Sequence, residues 1–189
     1  EAATGFVDGG ISVTGGSLGV ISSSDGGVTY TATLTPTAEY DGNINISVAD
    51  NSYTDSDSNN GTGDSLTIAS STDTPTLTIS SDDADLVAGE SATITFTFSE
   101  AASGFVDGDI SVTGASLGAI SSSDGGLTYT ATLTPDLEYD GNINISVADN
   151  SYTDSDSNNG TGDSLTIASS TDTPTLTISS DDADLVAGE

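Results

Sequence analysis

The sequence predicts an all-β protein of tandem antiparallel sandwiches, each with about seven short strands. Three features carry this expectation: a 99-residue internal repeat, an alternation of apolar residues with Thr, Ser and Asn at period two, and turn-forming pairs between the alternating runs. Residue i matches residue i+99. GFVDG recurs at Gly5 and Gly104, TYTATLTP at Thr29 and Thr128, and the long run beginning NISVADNSYTDSDSNNGTGDS at Asn45 and Asn144. Of 90 overlapping positions seven differ (4, 10, 16, 20, 28, 37 and 38) and 83 are identical.

The elements follow from the alternation, best seen in the second copy. A first strand is expected at 76–80, with Leu77 and Ile79 inward, and a second at 92–98, with Ala92, Ile94, Phe96 and Phe98 inward. Next come 110–113, a short 117–120, then 127–133 with Leu127, Tyr129, Ala131 and Leu133 inward, 143–147 and 165–168. The breakers between them are Ala88-Gly89, Asp107-Gly108, Gly125-Gly126, Asp140-Gly141 and Gly160 to Gly162. Threonine at alternate positions suits a strand face turned to water. Seven short strands without helical periodicity fit an immunoglobulin-like sandwich. Residues 1–72 are then an incomplete repeat lacking its first two strands, 73–171 a complete one, and 172–189 a linker with the first strand of a third. The incomplete copy is expected to expose open edges and a core face, and the chain reads as a piece of a longer array.

Composition narrows the chemistry. The 189 residues carry 30 acidic side chains and no lysine, arginine or histidine, a formal charge of −30, and no cysteine. That excludes Ser-His-Asp and Cys-His catalysis, Schiff-base chemistry and thiolate metal sites. It also removes any cationic route to nucleic acid or an anionic membrane surface. Paired-carboxylate glycoside hydrolysis is the only familiar catalytic class left, and nothing in the sequence places two acids in a pocket. The expectation is therefore no enzyme, no nucleic acid and no membrane insertion. No disulfide is available, so stapling of a secreted fold falls to metal. The sequons at Asn45 and Asn60 lie in a strand and a polar loop and read as coincidental.

The acidic residues suggest a hard cation. Asp55, Asp57, Asn59 and Asp64 recur as Asp154, Asp156, Asn158 and Asp163, with oxygen ligands at alternate positions and glycine close behind, a spacing related to calcium loops. The competing reading is an Asx-rich turn. Asp82, Asp83 and Asp85 place three carboxylates in four positions, and Asp181, Asp182 and Asp184 repeat them. Glu100, Asp107 and Asp109, and Glu138 with Asp140, stand at expected loop ends, whereas Asp124 reads as a hairpin turn.

The run from Asp73 through Ala88-Gly-Glu, Phe98-Ser-Glu100, Gly104-Phe-Val-Asp-Gly-Asp and Thr128-Tyr-Thr-Ala-Thr-Leu-Thr-Pro135 resembles bacterial immunoglobulin-like repeats of very large adhesins of the repeats-in-toxin type. The resemblance implies an extracellular, cell-surface extender: a calcium-stiffened spacer that holds a ligand-binding tip away from the bacterium, with neighbouring repeats as its partners. The Asp-Ser-Asp-Ser-Asn-Asn-Gly insert departs from the shorter turn of many relatives. Alternating strand directions place Asp73 where acids of successive repeats meet. Calcium is expected there, with Asp73 central, Glu100 and Asp107 on one side and Glu39 or Asp41 on the other, and Asp172 in the same part at the next joint. The alternative is a carbohydrate-binding or homophilic, cadherin-like adhesion module. It calls for variation on one loop surface, and the seven differences scatter instead.

Overall fold

The computed structural model describes residues 1–181. Its described residues are strands joined by turns and irregular loops, and they divide into two compact units: Glu1–Pro75 with Thr153–Gly160, and Thr76–Tyr152 with the described residues from Thr161 on.

The first unit contains β1 (Ile11–Thr14), β2 (Gly16–Leu18), β3 (Leu34–Pro36), β4 (Asp41–Val48) and β5 (Asp64–Ser71), in sheets ordered β1-β4-β5 and β2-β3. Residues 1–72 hold no counterparts of positions 73–99, so β5 is a sheet edge and much of its inner face is bare. Leu66 is 56% exposed and Ile68 37%, while Ile44 in the adjacent strand stays buried.

The second unit contains β6 (Leu77–Ser81), β7 (Asp85–Val87), β8 (Ala92–Phe98), β9 (Ile110–Thr113), β10 (Ala115–Leu117), β11 (Thr128–Pro135), β12 (Asp140–Val147) and β13 (Asp163–Ser170). They form two four-stranded sheets, β10-β11-β8-β6 and β7-β13-β12-β9. Ala92, Ile94, Phe96 and Phe98 point inward as alternation requires, against Leu133 of β11, Ile143 and Ile145 of β12 and Ile167 of β13. Each of the Ile, Leu and Phe side chains contributes about 1.5–3 kcal/mol on burial. Across β8 and β11 the other face pairs Thr97 with Thr128, Thr95 with Thr130 and Thr93 with Thr132, a threonine ladder on the outer surface.

Three expectations change. The unit has an eighth strand, β7, which pairs in parallel with β13 through Ala168↔Asp85, Ser169↔Leu86 and Ser170↔Val87. Three residues are too few to show periodicity, and their partner lies far along the chain. The strand expected at 117–120 is Ala115–Leu117 instead, because Gly114, at φ +79°, turns the chain tightly enough for Ala115 to pair with Pro135 at once. Leu127, expected inward, is 42% exposed just ahead of β11, and Tyr129 is half-buried.

Candidate functional site

With no cationic side chain available, the carboxylates take backbone N–H groups as partners. Such charge-assisted bonds are shorter and stronger than neutral ones, and they lock turns from within. In the loop after β12, Asp154 Oδ1 accepts from the N–H groups of Asp156 and Asn158, both at 2.8 Å, and its Oδ2 accepts Asn158 Nδ2 at 2.8 Å. The equivalent Asp55 accepts Asp57 N at 2.9 Å, Asn59 N at 2.8 Å and Asn59 Nδ2 at 2.8 Å. Ser58 and Ser157 take positive φ to close the two turns. Bonds from the Asn59 side chain and then its backbone hold the Asp55 carboxyl below its ordinary value. At Asp154, only 2% exposed, burial pushes the carboxyl up, and bonds from Asn158, Asp156 and Ser157 outweigh it to leave it lowered. Asp57 and Asp156 are exposed.

The other predicted residues follow the same rule. Asp163 Oδ2 accepts Ile79 N at 2.7 Å, tying β13 to β6, whereas its counterpart Asp64 is exposed. Asp107 Oδ1 accepts Ile120 N and Asp109 Oδ2 accepts Val106 N, each at 2.8 Å, bracing the 3-10 turn Asp107–Asp109. Asp82 Oδ1 accepts Thr93 N at 2.7 Å, and that bond is the main reason its carboxyl is lowered. Asp83 Oδ1 accepts Asp85 N at 3.1 Å, and Asp85 opens β7. Asp41 and Asp140 are the exposed first residues of β4 and β12, and Glu100 follows β8 half-buried. Asp182 and Asp184 lie outside the described residues.

At the linkers, Glu39 Oε1 and Oε2 accept Thr74 Oγ1 at 2.7 Å and Thr74 N at 3.0 Å. Glu138 grips Thr173 in the same way, at 2.7 and 3.3 Å. Both glutamates take positive φ, 51° and 53°, to reach across. Between these grips and the strands, Thr72 and Thr171 each donate Oγ1 to a carbonyl, of Thr37 and Asp136, and accept the N–H of Tyr40 and Tyr139. Asp73 differs from its neighbours: its Oδ1 is buried and has no hydrogen-bond partner. Asp172 is exposed. Among the described residues, no three carboxylates gather in an arrangement that would hold a metal ion.

Sequence reasoning passed over several of these braces. Asp149 Oδ1 accepts Gly162 N at 2.8 Å, and Asp50 accepts Gly63 N at 2.7 Å, closing each acidic loop at its base. The signal was the Asp-Asn pair, with Asn51 and Asn150 both at positive φ. Asp124 behaves as the hairpin turn expected of it, accepting Thr128 N at 2.9 Å.

Aromatic rings close one end of each unit. Phe98 contacts Tyr152, Phe105 and Tyr129 edge-on at 4.7, 5.0 and 5.9 Å. Burial, and then the charge of Asp149, push the Tyr152 phenol up to about 12, so it stays a neutral donor to the Thr161 carbonyl at 2.8 Å. In the first unit Phe6, Tyr30 and Tyr53 are arranged alike, and an open cavity of about 340 Å³ lies beside them. No helix of the described residues is long and apolar enough to cross a membrane.

Comparison with known proteins agrees with this architecture. No curated protein matches the chain. A solved structure of FdeC, described as a novel, broadly conserved Escherichia coli adhesin eliciting protection against urinary tract infections, is similar at 15% identity and a TM-score of 0.45. The match covers 89% of this chain and 52% of FdeC, so the chain spans about half the length of that structure, and a likeness at this level carries no argument. The family model described as the bacterial Ig-like domain matches residues 1–70 and again 71–169, and the chain belongs to that family.

Proposed function

We propose that the chain is a non-catalytic extender of a giant bacterial cell-surface adhesin of the repeats-in-toxin type. It is a spacer stiffened by calcium that projects a ligand-binding tip into the exterior. The observation that carries this reading is where the acidic side chains spend their charge. They brace loops and linkers against the backbone in two copies of a nearly identical repeat sequence, rather than converging on a pocket. A spacer needs many equal, stiff modules, and a charge of −30 keeps such modules apart in a crowded array.

Calcium enters through Asp73. A buried carboxylate oxygen without a donor carries a desolvation cost that a hard cation would remove, so this residue fits the role of anchoring ligand. Asp172 would serve the following linker in the same way. In the Asp55 and Asp154 loops the inner carboxylates already accept N–H groups, which leaves Asp57 and Asp156 as the side chains free to face an ion.

The test is thermal unfolding with calcium and with chelator. An ion bound only to the folded state adds about 4 kcal/mol at a thousandfold excess over Kd. Magnesium should substitute poorly, because it demands tight octahedral coordination and dehydrates reluctantly. The Asp73→Asn variant should lose most of the calcium-dependent gain while folding in chelator like the parent. Equal melting temperatures in calcium and chelator would remove calcium from the mechanism.

A further inference from the structure

Asn-x-Ser/Thr, the acceptor triplet for N-linked sugar, occurs four times, beginning at Asn45, Asn60, Asn144 and Asn159. The structure divides these four into two kinds. Asn45 and Asn144 lie in β4 and β12, each a strand paired on both sides. Their amides are engaged. Asn45 Oδ1 accepts Thr67 Oγ1 at 2.9 Å and its Nδ2 donates to the Asn43 carbonyl at 3.4 Å. Asn144 makes the same two bonds, to Thr166 at 3.0 Å and Asn142 at 3.3 Å. Presenting either amide to an enzyme would break these bonds and disturb a paired strand.

Asn60 and Asn159 stand in the loops ahead of β5 and β13, and both are exposed. Among the described residues neither side-chain amide makes a hydrogen bond. The backbone of each triplet is nevertheless fixed. Isolated bridges join Thr54 to Asn60 and Thr153 to Asn159. The Tyr53 hydroxyl donates to the Thr62 carbonyl at 3.0 Å, and that of Tyr152 to the Thr161 carbonyl at 2.8 Å. Gly61 N donates to the Tyr53 carbonyl at 2.9 Å, and a Cβ at Gly61 would run into the Tyr53 ring, so glycine is required between the asparagine and the threonine. The tyrosine holds the triplet by its main chain and leaves the asparagine amide turned to solvent. The same presentation recurs 99 residues on, in the insert whose sequence departs from the shorter turn of many relatives.

We propose that Asn60 and Asn159 are N-glycosylation sites, at the same loop position of each repeat. The substrate class is a sugar activated by a diphosphate at its anomeric carbon. Asn Nδ2 attacks that carbon and the N-glycosidic bond forms. The anomeric C–O bond breaks, the diphosphate leaves with the bonding pair, and one Nδ2 proton passes to a base of the transferase. The sugar adds a bulky, hydrated and uncharged group to each acidic loop, so it shields the loop without changing the charge of −30. The modification is independent of calcium, since neither asparagine is among the proposed ligands.

Mass spectrometry of the protein isolated from the cells that make it tests this, after cleavage at Asp and Glu because the chain has no Lys or Arg. The expected result is sugar on the peptides holding Asn60 and Asn159, with Asn45 and Asn144 bare. The Asn60 and Asn159 peptides share one sequence, so Asn60→Gln and Asn159→Gln, made in the same cells, assign the copies, each removing its own share of the sugar. Thr161→Ala should abolish the sugar at Asn159 and Thr161→Ser should keep it, with both variants unfolding like the parent. A single hexose marks a nucleotide-activated donor, and a preassembled oligosaccharide marks a lipid-carried one. Bare Asn60 and Asn159, equal occupancy at Asn45 and Asn144, sugar that survives Thr161→Ala, or deamidation alone at Asn159 would each overturn the proposal.

Discussion

Truncating Phe98 to Ala should cost the second unit about 4 kcal/mol. The ring is 4% exposed and meets three others edge-on, with centroids at 4.7, 5.0 and 5.9 Å. Removing a buried phenylalanine costs about 3–5 kcal/mol, through lost transfer energy and an unfilled cavity. Within that range, each edge contact is worth about 0.5–1.5 kcal/mol. Where a variant falls depends on how far its surroundings collapse. The assay is urea unfolding followed by tyrosine fluorescence, since the chain has six tyrosines and no tryptophan, with far-UV circular dichroism as the second probe. The transition of the second unit should shift at constant slope, because a changed slope signals a different exposed area rather than lost contacts. Phe98→Leu should cost about half as much, since it keeps most of the volume but no ring edge. A loss below about 1 kcal/mol for Phe98→Ala, typical of a tolerant surface site, would refute the reasoning.

Two glycines with nearly the same backbone separate strain from crowding: Gly104 at φ +80° faces open space, while a Cβ at Gly114, φ +79°, would stand 2.5 Å from the Tyr139 ring. Gly104→Ala should cost about 1 kcal/mol from the left-handed backbone alone, and Gly114→Ala about 2 kcal/mol more, read by the same urea midpoints. The N–H of Thr29, with its hydroxyl and that of Ser23, holds the Asp25 carboxyl at about 2. A depressed folded value contributes stability above the unfolded value of about 3.9 and loses it as pH falls toward 2, so the amide signals of Val28 and Thr29 should titrate with a midpoint near 2 in NMR; a midpoint near 4 would contradict the clamp. Glu39→Gln should weaken the grip on Thr74, whose hydroxyl and then N–H lower that carboxyl, and raise hydrogen exchange at Thr74 while leaving β4 protected.

The sequence by itself determined the repeat, the strand alternation and the absence of cationic chemistry. The faces of β8 and β12 were legible because period-two patterning needs only local order. The hydrogen-bond partners of the acidic residues were not legible. Asp163 finds Ile79 and Asp107 finds Ile120 only once the sheets have stacked, and no spacing rule encodes a partner chosen by folding. The parallel strand β7 was hidden for the same reason. The sharpest division lies between identical sequences. TYTATLTP is the eight-residue strand Thr128–Pro135 in one unit, where β8 pairs beside it, and only Leu34–Pro36 in the other, where residues 1–72 supply no such neighbour. Leu77 and Ile79 are buried while the same residues at Leu176 and Ile178 are bare. A strand's hydrogen bonds and its apolar contacts are both made to other parts of the chain, so the sequence sets what a segment is able to join, and the tertiary neighbours decide whether it does.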